Sequence, residues 1–191
     1  AASDVYKRQG EDAAPSFREE IAGQSFGRIN RDEALLTLLG LQNYIEKIGR
    51  ERFLEERVDV GLISPYRAQT QYLRRLLRHT PFFRPFLRLI TVNTVDGFQG
   101  QERDVIVISM VRSNDSGDIG FLRDLRRMNV AMTRARMKLI VIGSSATLTR
   151  HPFYRRLHSY IISLRDPSGS DDSSSSFPFL PPTDKENGNR Q

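Results

Sequence analysis

Residues 126–138, RRMNVAMTRARMK, carry five cations (Arg126, Arg127, Arg134, Arg136 and Lys138) among small and apolar residues, and residues 125–138 contain no acid. On a helical wheel of about 100° per residue, Leu125, Met128, Met132 and Ala135 gather on one face. Arg123, Arg127 and Arg134 fall on the opposite face, with Val130 and Ala131 on its flanks. Such a stripe has two ordinary explanations, a solvated face or a patch for a polyanion. A solvated face usually mixes Glu with its Arg. Small flanking residues instead permit close approach by another surface, and arginine suits forked contact with phosphate oxygens. The third explanation is one arginine aimed at a phosphate held by something else.

A second stretch, DGFQGQE (96–102), follows an apolar run. Gly97 and Gly100 let backbone N–H groups approach an anion closely, although a plain turn needs the same residues. Glu102 stands just beyond, where a carboxylate repels phosphate but can accept hydrogen bonds from ribose hydroxyls. Asp96, Glu102 and Asp104 also have the composition of a nuclease-like acid cluster. Asp104 reads more simply as the opening of a strand, and no metal site is assigned. In SPYRAQ (64–69), Tyr66 and Gln69 stand at the mouth of a helix. Tyr66 there suits a base or nucleotide contact, and turn chemistry explains it equally. The three histidines, His79, His151 and His158, are scattered, and with no cysteine the chain has neither disulfides nor thiolate metal sites.

The elements that must carry these residues alternate in period. Residues 30–49 place Leu35, Leu38, Leu39, Leu41, Ile45 and Ile48 at helical spacing, with Asn30 and Glu33 as a capping box and Gly49 as the stop. Strand patterns at 58–64, 87–95, 104–111 and 138–143 alternate with helix patterns at 66–79, 122–135 and 152–164. Strands apolar on both faces lie inside a parallel sheet covered by helices. The pattern predicts an open α/β sheet, whose ligands bind beyond the carboxyl ends of the strands. The places to look are then after Ser64, Val95, Val111 and Gly143.

A chain of 191 residues, 38% apolar and 27% charged, suffices for one domain with a core. Residues 1–23 read as an unstructured or non-native leader, 24–165 as the domain, and the Ser-, Pro- and Asp-rich 166–191 as a disordered tail. The tail's five acids and two bases give it net −3, which leaves +9 of the chain's overall +6 on residues 1–165. A basic body of this kind suggests a polyanionic partner. There is no secretory signal, and no apolar run nears the roughly 20 residues of a membrane span. Both facts fit an intracellular setting, cytoplasmic or nuclear.

SPYRAQ, TVDGFQGQERDVIVIS, VRSN, IGFLRD and RRMNVAMTRAR occur in this order. Together they resemble the second RecA-like domain of superfamily 1 helicases, in the group of the nonsense-mediated decay and immunoglobulin mu-binding-protein helicases. The resemblance covers roughly residues 24–162 and implies a RecA-like P-loop NTPase fold. It implies that Arg134 is an arginine finger on the γ-phosphate of ATP, that Gly100 places its backbone there, and that Glu102 holds the ribose. Tyr66 and Gln69 belong to a further nucleotide-side motif, and Arg127 and Arg136 brace the finger. Thr94, Arg112 and Asn114 face single-stranded DNA or RNA. No GxxxxGK[ST] segment occurs in the chain, and neither does the family's QYRMHP-type segment. ATP and Mg²⁺ would then be held mainly by a first RecA-like domain of the same enzyme. The alternative is a non-catalytic strand-binding or regulatory module of the same fold, and a helicase fused to a nuclease is a third possibility.

Overall fold

A computed structural model of the chain describes residues 17–23, 27–98, 100 and 102–163. β1 (Glu20–Ala22) pairs antiparallel with β2 (Gly27–Ile29). Helices α1 (Arg31–Ile48) and α2 (Arg50–Glu55) follow, then β3 (Val60–Ser64), α3 (Arg67–His79) and a 3-10 turn at Pro81–Phe86. β4 (Ile90–Thr94) leads through a 3-10 turn at Asp96–Phe98 into β5 (Arg103–Ser109). A turn at Gly120–Arg123, α4 (Leu125–Met132), β6 (Ala135–Ile142), α5 (Ser145–Leu148) and α6 (Pro152–Ser163) complete the described chain.

The main sheet is wholly parallel, in the order β4-β3-β5-β6. β3 is buried throughout and β5 along Val105–Ser109, which is why both read as continuous apolar runs. Alternate residues feed two cores. Val60, Leu62, Val105, Val107, Ile140 and Ile142 pack under α1, α2 and α3. Ile63, Ile106, Ile108 and Val141 pack under α4 and α6, together with Phe98 from the β4–β5 connection. The result is the three-layer α/β arrangement that the alternating periods and the RecA-like resemblance predict. Among the described residues no helix is long and apolar enough to cross a membrane.

Three expectations change at this level. Contacts with the body begin at Phe17, ahead of the boundary placed at 24: the Phe17 carbonyl accepts from Asn30 Nδ2 at 3.0 Å. The helix read over 122–135 is shorter. Asp124 caps it, accepting from the Arg127 N–H at 3.2 Å, and Thr133 closes it. Arg123 therefore lies in the turn before α4 and Arg134 in the link after it, so the arginine stripe is not one helix face. Ala131, expected beside that stripe, is in the core. In α1 the buried stripe is Ala34, Leu38, Leu41 and Ile45, whereas Leu35 and Leu39 are 53% and 46% exposed. The leader before residue 17 and the tail after 163 lie outside the described residues.

Candidate functional site

The register of β5 and β6 decides where the chemistry-bearing residues meet. Arg103 is opposite Ala135, and the Arg103 N–H donates to the Arg134 carbonyl at 3.0 Å. Glu102 and Arg134 each stand one residue before their strand, so they are neighbours at the amino edge of the sheet. Gly100 precedes them in the connection from β4 with φ +79, a left-handed conformation that suits glycine. Gln99 and Gln101 are outside the described residues. The carboxyl-end rule pointed to the other edge; these residues reach the amino edge because the β4–β5 connection crosses the sheet face, with Phe98 packed over Gly61 of β3.

Four arginines around α4 differ in their partners. Arg127 grips Asp96 through both Nε (2.9 Å to Oδ1) and Nη2, which ties α4 to the start of the β4–β5 connection. Arg136 faces Asp104 at 3.3 Å, and Arg123 faces Asp118 at 3.6 Å. Arg134 is half-buried, and among the described residues it faces no carboxylate. Its Nε is enclosed without a hydrogen-bond partner. An enclosed donor of this kind is costly unless an acceptor arrives. Asp96, Glu102 and Asp104 do not form the acid cluster that their composition allowed. Asp96 is held by Arg127 and Asp104 by Arg136 and the Asp59 N–H, and among the described residues no three His, Asp or Glu side chains gather as metal ligands.

The carboxyl edge is built differently. Arg112, only 4% exposed, is enclosed by Glu19 (2.8 Å), Asp118 (2.8 Å) and the Tyr66 hydroxyl (3.2 Å). Burial lowers its proton affinity, but bonds to Asp118, Glu19 and Tyr66 outweigh this and raise its pKa. The Gly120 N–H is the chief cause of a lowered pKa at Asp118, with Arg112 next. A Cβ at Gly120 (φ +50) would overlap the Arg112 guanidinium. The Arg112 side chain is turned inward, with a partner inside the chain for each of its three nitrogens. Asn114 likewise turns inward: Nδ2 donates to Glu19 (3.1 Å) and the Asp118 carbonyl (2.8 Å), and Oδ1 accepts from Ser116 and Asp118. Thr94, half-buried, ends β4 at this same edge.

Tyr66 and Gln69 stand at the start of α3, as expected, and both are buried there. Tyr66 is 5% exposed, its ring 5.3 Å from that of Phe121. Gln69 is fully buried. Its Oε1 accepts from the Asn30 N–H at 2.9 Å, and its Nε2 donates to the Asn30 carbonyl and to Ser109 Oγ. Both belong to the core of the carboxyl edge, about 20 Å, the length of β5, from the Arg134 edge. Two residues that sequence reasoning passed over are central here. Glu19 accepts from Arg112, from the Ser113 N–H (2.8 Å) and from Asn114. Buried Glu33 accepts from Ser109 Oγ and the Val111 N–H, both at 2.6 Å. The capping pattern at 30–33 was the one available signal for Glu33, and it pointed to the wrong partner: Gln69, not Glu33, takes the Asn30 N–H.

The described residues thus form a parallel α/β sheet with an unpartnered arginine at one edge and a closed ion cluster at the other. The family model described as AAA domain matches residues 12–146, and the chain belongs to that family. Within it, the chain is the second RecA-like domain of a superfamily 1 helicase of the nonsense-transcript-regulator group. It is 40% identical to the regulator of nonsense transcripts 1 homolog of Neurospora crassa, over 73% of this chain and 12% of that protein. It is 48% identical to the DNA polymerase alpha-associated DNA helicase A of Saccharomyces cerevisiae, over 48% of this chain and 13% of that protein. The DNA replication ATP-dependent helicase/nuclease DNA2 of Bos taurus is 40% identical over 60% of this chain and 11% of its own length. The chain thus spans a small part of the relatives it matches.

Proposed function

We propose that this chain is the second motor domain of an ATP-dependent helicase and that it completes a nucleotide site mounted on a first domain. Arg134 is the residue donated. The supporting observation is its isolation: its neighbours Arg123, Arg127 and Arg136 each face a carboxylate, whereas Arg134 faces none among the described residues and keeps an enclosed, unpartnered Nε. A phosphoryl oxygen supplies the missing acceptor, and the guanidinium stabilises charge as it develops there.

Glu102, exposed beside it, suits the ribose hydroxyls, and Gly100 leaves open space where a Cβ would stand. Arg127 and Arg136 act through their acids. They fix the β4–β5 connection and the start of β6 relative to each other, which sets where Arg134 stands. Mg²⁺ belongs to the first domain's share of the site. Closure of the two domains on the nucleotide and release after hydrolysis would alternate the grip on a strand. Single-stranded DNA or RNA would run along the carboxyl edge past Thr94 and the 112–120 loop, with Arg112 and Asn114 shaping that loop from inside.

The test is to join the chain to a matching first domain and to assay strand-stimulated ATP hydrolysis for the parent, Arg134→Ala and Arg136→Ala. Turnover lost in Arg134→Ala and largely kept in Arg136→Ala supports the assignment. Equal turnover in all three overturns the Arg134 assignment, and turnover no higher than that of the first domain alone supports the non-catalytic module instead.

A further inference from the structure

β5 ends at Ser109, and two residues later the chain makes an uncommon turn. Val111 has φ +70, a conformation that a β-branched residue adopts only under constraint. The constraint comes from the start of α1. The Val111 N–H donates to Glu33 Oε1 at 2.6 Å, and its carbonyl accepts from Asn30 Nδ2 at 3.1 Å. Ser109 Oγ donates to the same Glu33 oxygen, and Gln69 braces both Ser109 and Asn30. Asn30, Glu33, Gln69, Ser109 and Val111 are all buried.

A buried carboxyl is an expensive core filler, and an apolar side chain of its size would serve stability better. Its position suits another task. The turn at Val111 sends Arg112 back under the loop, where it meets Glu19, Asp118 and Tyr66 and so fixes Ser113 and Asn114. We propose that Glu33 is a positioning residue. With Asn30 it forms a clamp that holds Val111 left-handed and thereby sets the 112–114 segment at the edge that receives the strand. The last clause rests on the reading of that edge given above.

The test reads conformation and binding separately in the 191-residue chain. Glu33→Gln keeps an acceptor at Oε1 and should leave amide exchange at residues 111–114 near that of the parent. Glu33→Ala frees the Val111 amide and should raise exchange there about tenfold or more. Adding Val111→Gly to Glu33→Ala should reverse most of the rise at residues 112–114, because glycine takes a positive φ without a clamp, while the amide at 111 still lacks its acceptor. If Glu33→Ala fails to fold, Asn30→Asp replaces it. That change keeps the cap on α1, removes the Nδ2 donor to the Val111 and Phe17 carbonyls, and should raise exchange at 111–114. Unchanged exchange in Glu33→Ala or in its replacement Asn30→Asp, or a rise at 112–114 that Val111→Gly does not reduce, overturns the clamp. Affinity for fluorescent oligothymidylate and oligouridylate, measured on the same proteins, should fall as exchange rises. If exchange rises while affinity for both holds, the clamp stands and the strand-facing reading of the edge falls.

Discussion

Arg112 lies three residues beyond the end of β5, and Arg134 lies one residue before the start of β6. The two live in opposite electrostatic settings. Arg112 is enclosed by two carboxylates and a phenol, and the glycine at 120 exists to let it in. Arg134 is partly covered and has no acid opposite among the described residues. A buried, fully bonded cation holds shape and leaves nothing for a ligand. A partly covered, unpartnered cation adds little to the fold and remains available for chemistry. The carboxyl-end rule for open sheets describes a domain that holds its own ligand. A domain that lends a residue to a neighbour's ligand can do so from its other edge.

Substitutions at the two arginines should separate these roles. Arg134→Ala in the assembled two-domain enzyme should lower kcat by roughly 10³ to 10⁵. Denaturant midpoints of the isolated chain should meanwhile move by no more than about 0.5 kcal/mol. Arg112→Ala should do the reverse. It leaves the buried Glu19 carboxylate with only Arg28, at 3.4 Å, as a cation partner and should cost up to about 3–5 kcal/mol of folding stability by urea denaturation. Loss of catalysis on Arg112→Ala in protein of unchanged stability would break the comparison.

Glu33 sharpens the contrast through pH. Burial pushes its carboxyl from an ordinary 4.5 up to about 7, against the Ser109 hydroxyl and the Val111 and Met110 amides, which pull it down, while Glu19 adds a further push upward. A folded-state pKa above the unfolded one contributes stability that is complete below the unfolded value and is lost as pH rises through the folded value. Relative to Glu33→Gln, the parent should therefore lose about 3 kcal/mol as pH climbs from 4.5 through about 7, as read by denaturation at each pH. The smallest effect is expected at the exposed Arg127–Asp96 pair. Asp96→Asn should change stability by no more than about 1 kcal/mol, with any larger consequence confined to turnover.

The layout of the sheet was legible because β3 and β5 are apolar on both faces and α1 carries its own cap and stop. The amino-edge site was legible in part. TRAR and DGFQGQE mark residues that meet at this edge, but the wheel placed Arg134 on a helix that ends at Met132. Helix propensity could not anticipate that Arg103 draws Ala135 into β6. The carboxyl edge was the least legible. Glu19 and Arg112 are 93 residues apart, and Glu33 and Val111 are 78 apart. No local pattern tells a buried Arg from an exposed one when its partners lie that far along the chain. Tyr66 and Gln69 stand at the start of α3 as expected, but that they face inward was not legible for the same reason, since their partners, Arg112, Asn30 and Ser109, come from other elements.

The most direct measurement is a crystal structure of the joined two-domain enzyme with ADP, an aluminium fluoride mimic of the transferring phosphoryl group and a single strand. The account predicts the Arg134 guanidinium in hydrogen-bond contact with the fluoride, its Nε no longer alone, and Arg112 still enclosed by Glu19 and Asp118. Arg134 directed into solvent or paired with an acid of the first domain, with another arginine on the mimic, would contradict it.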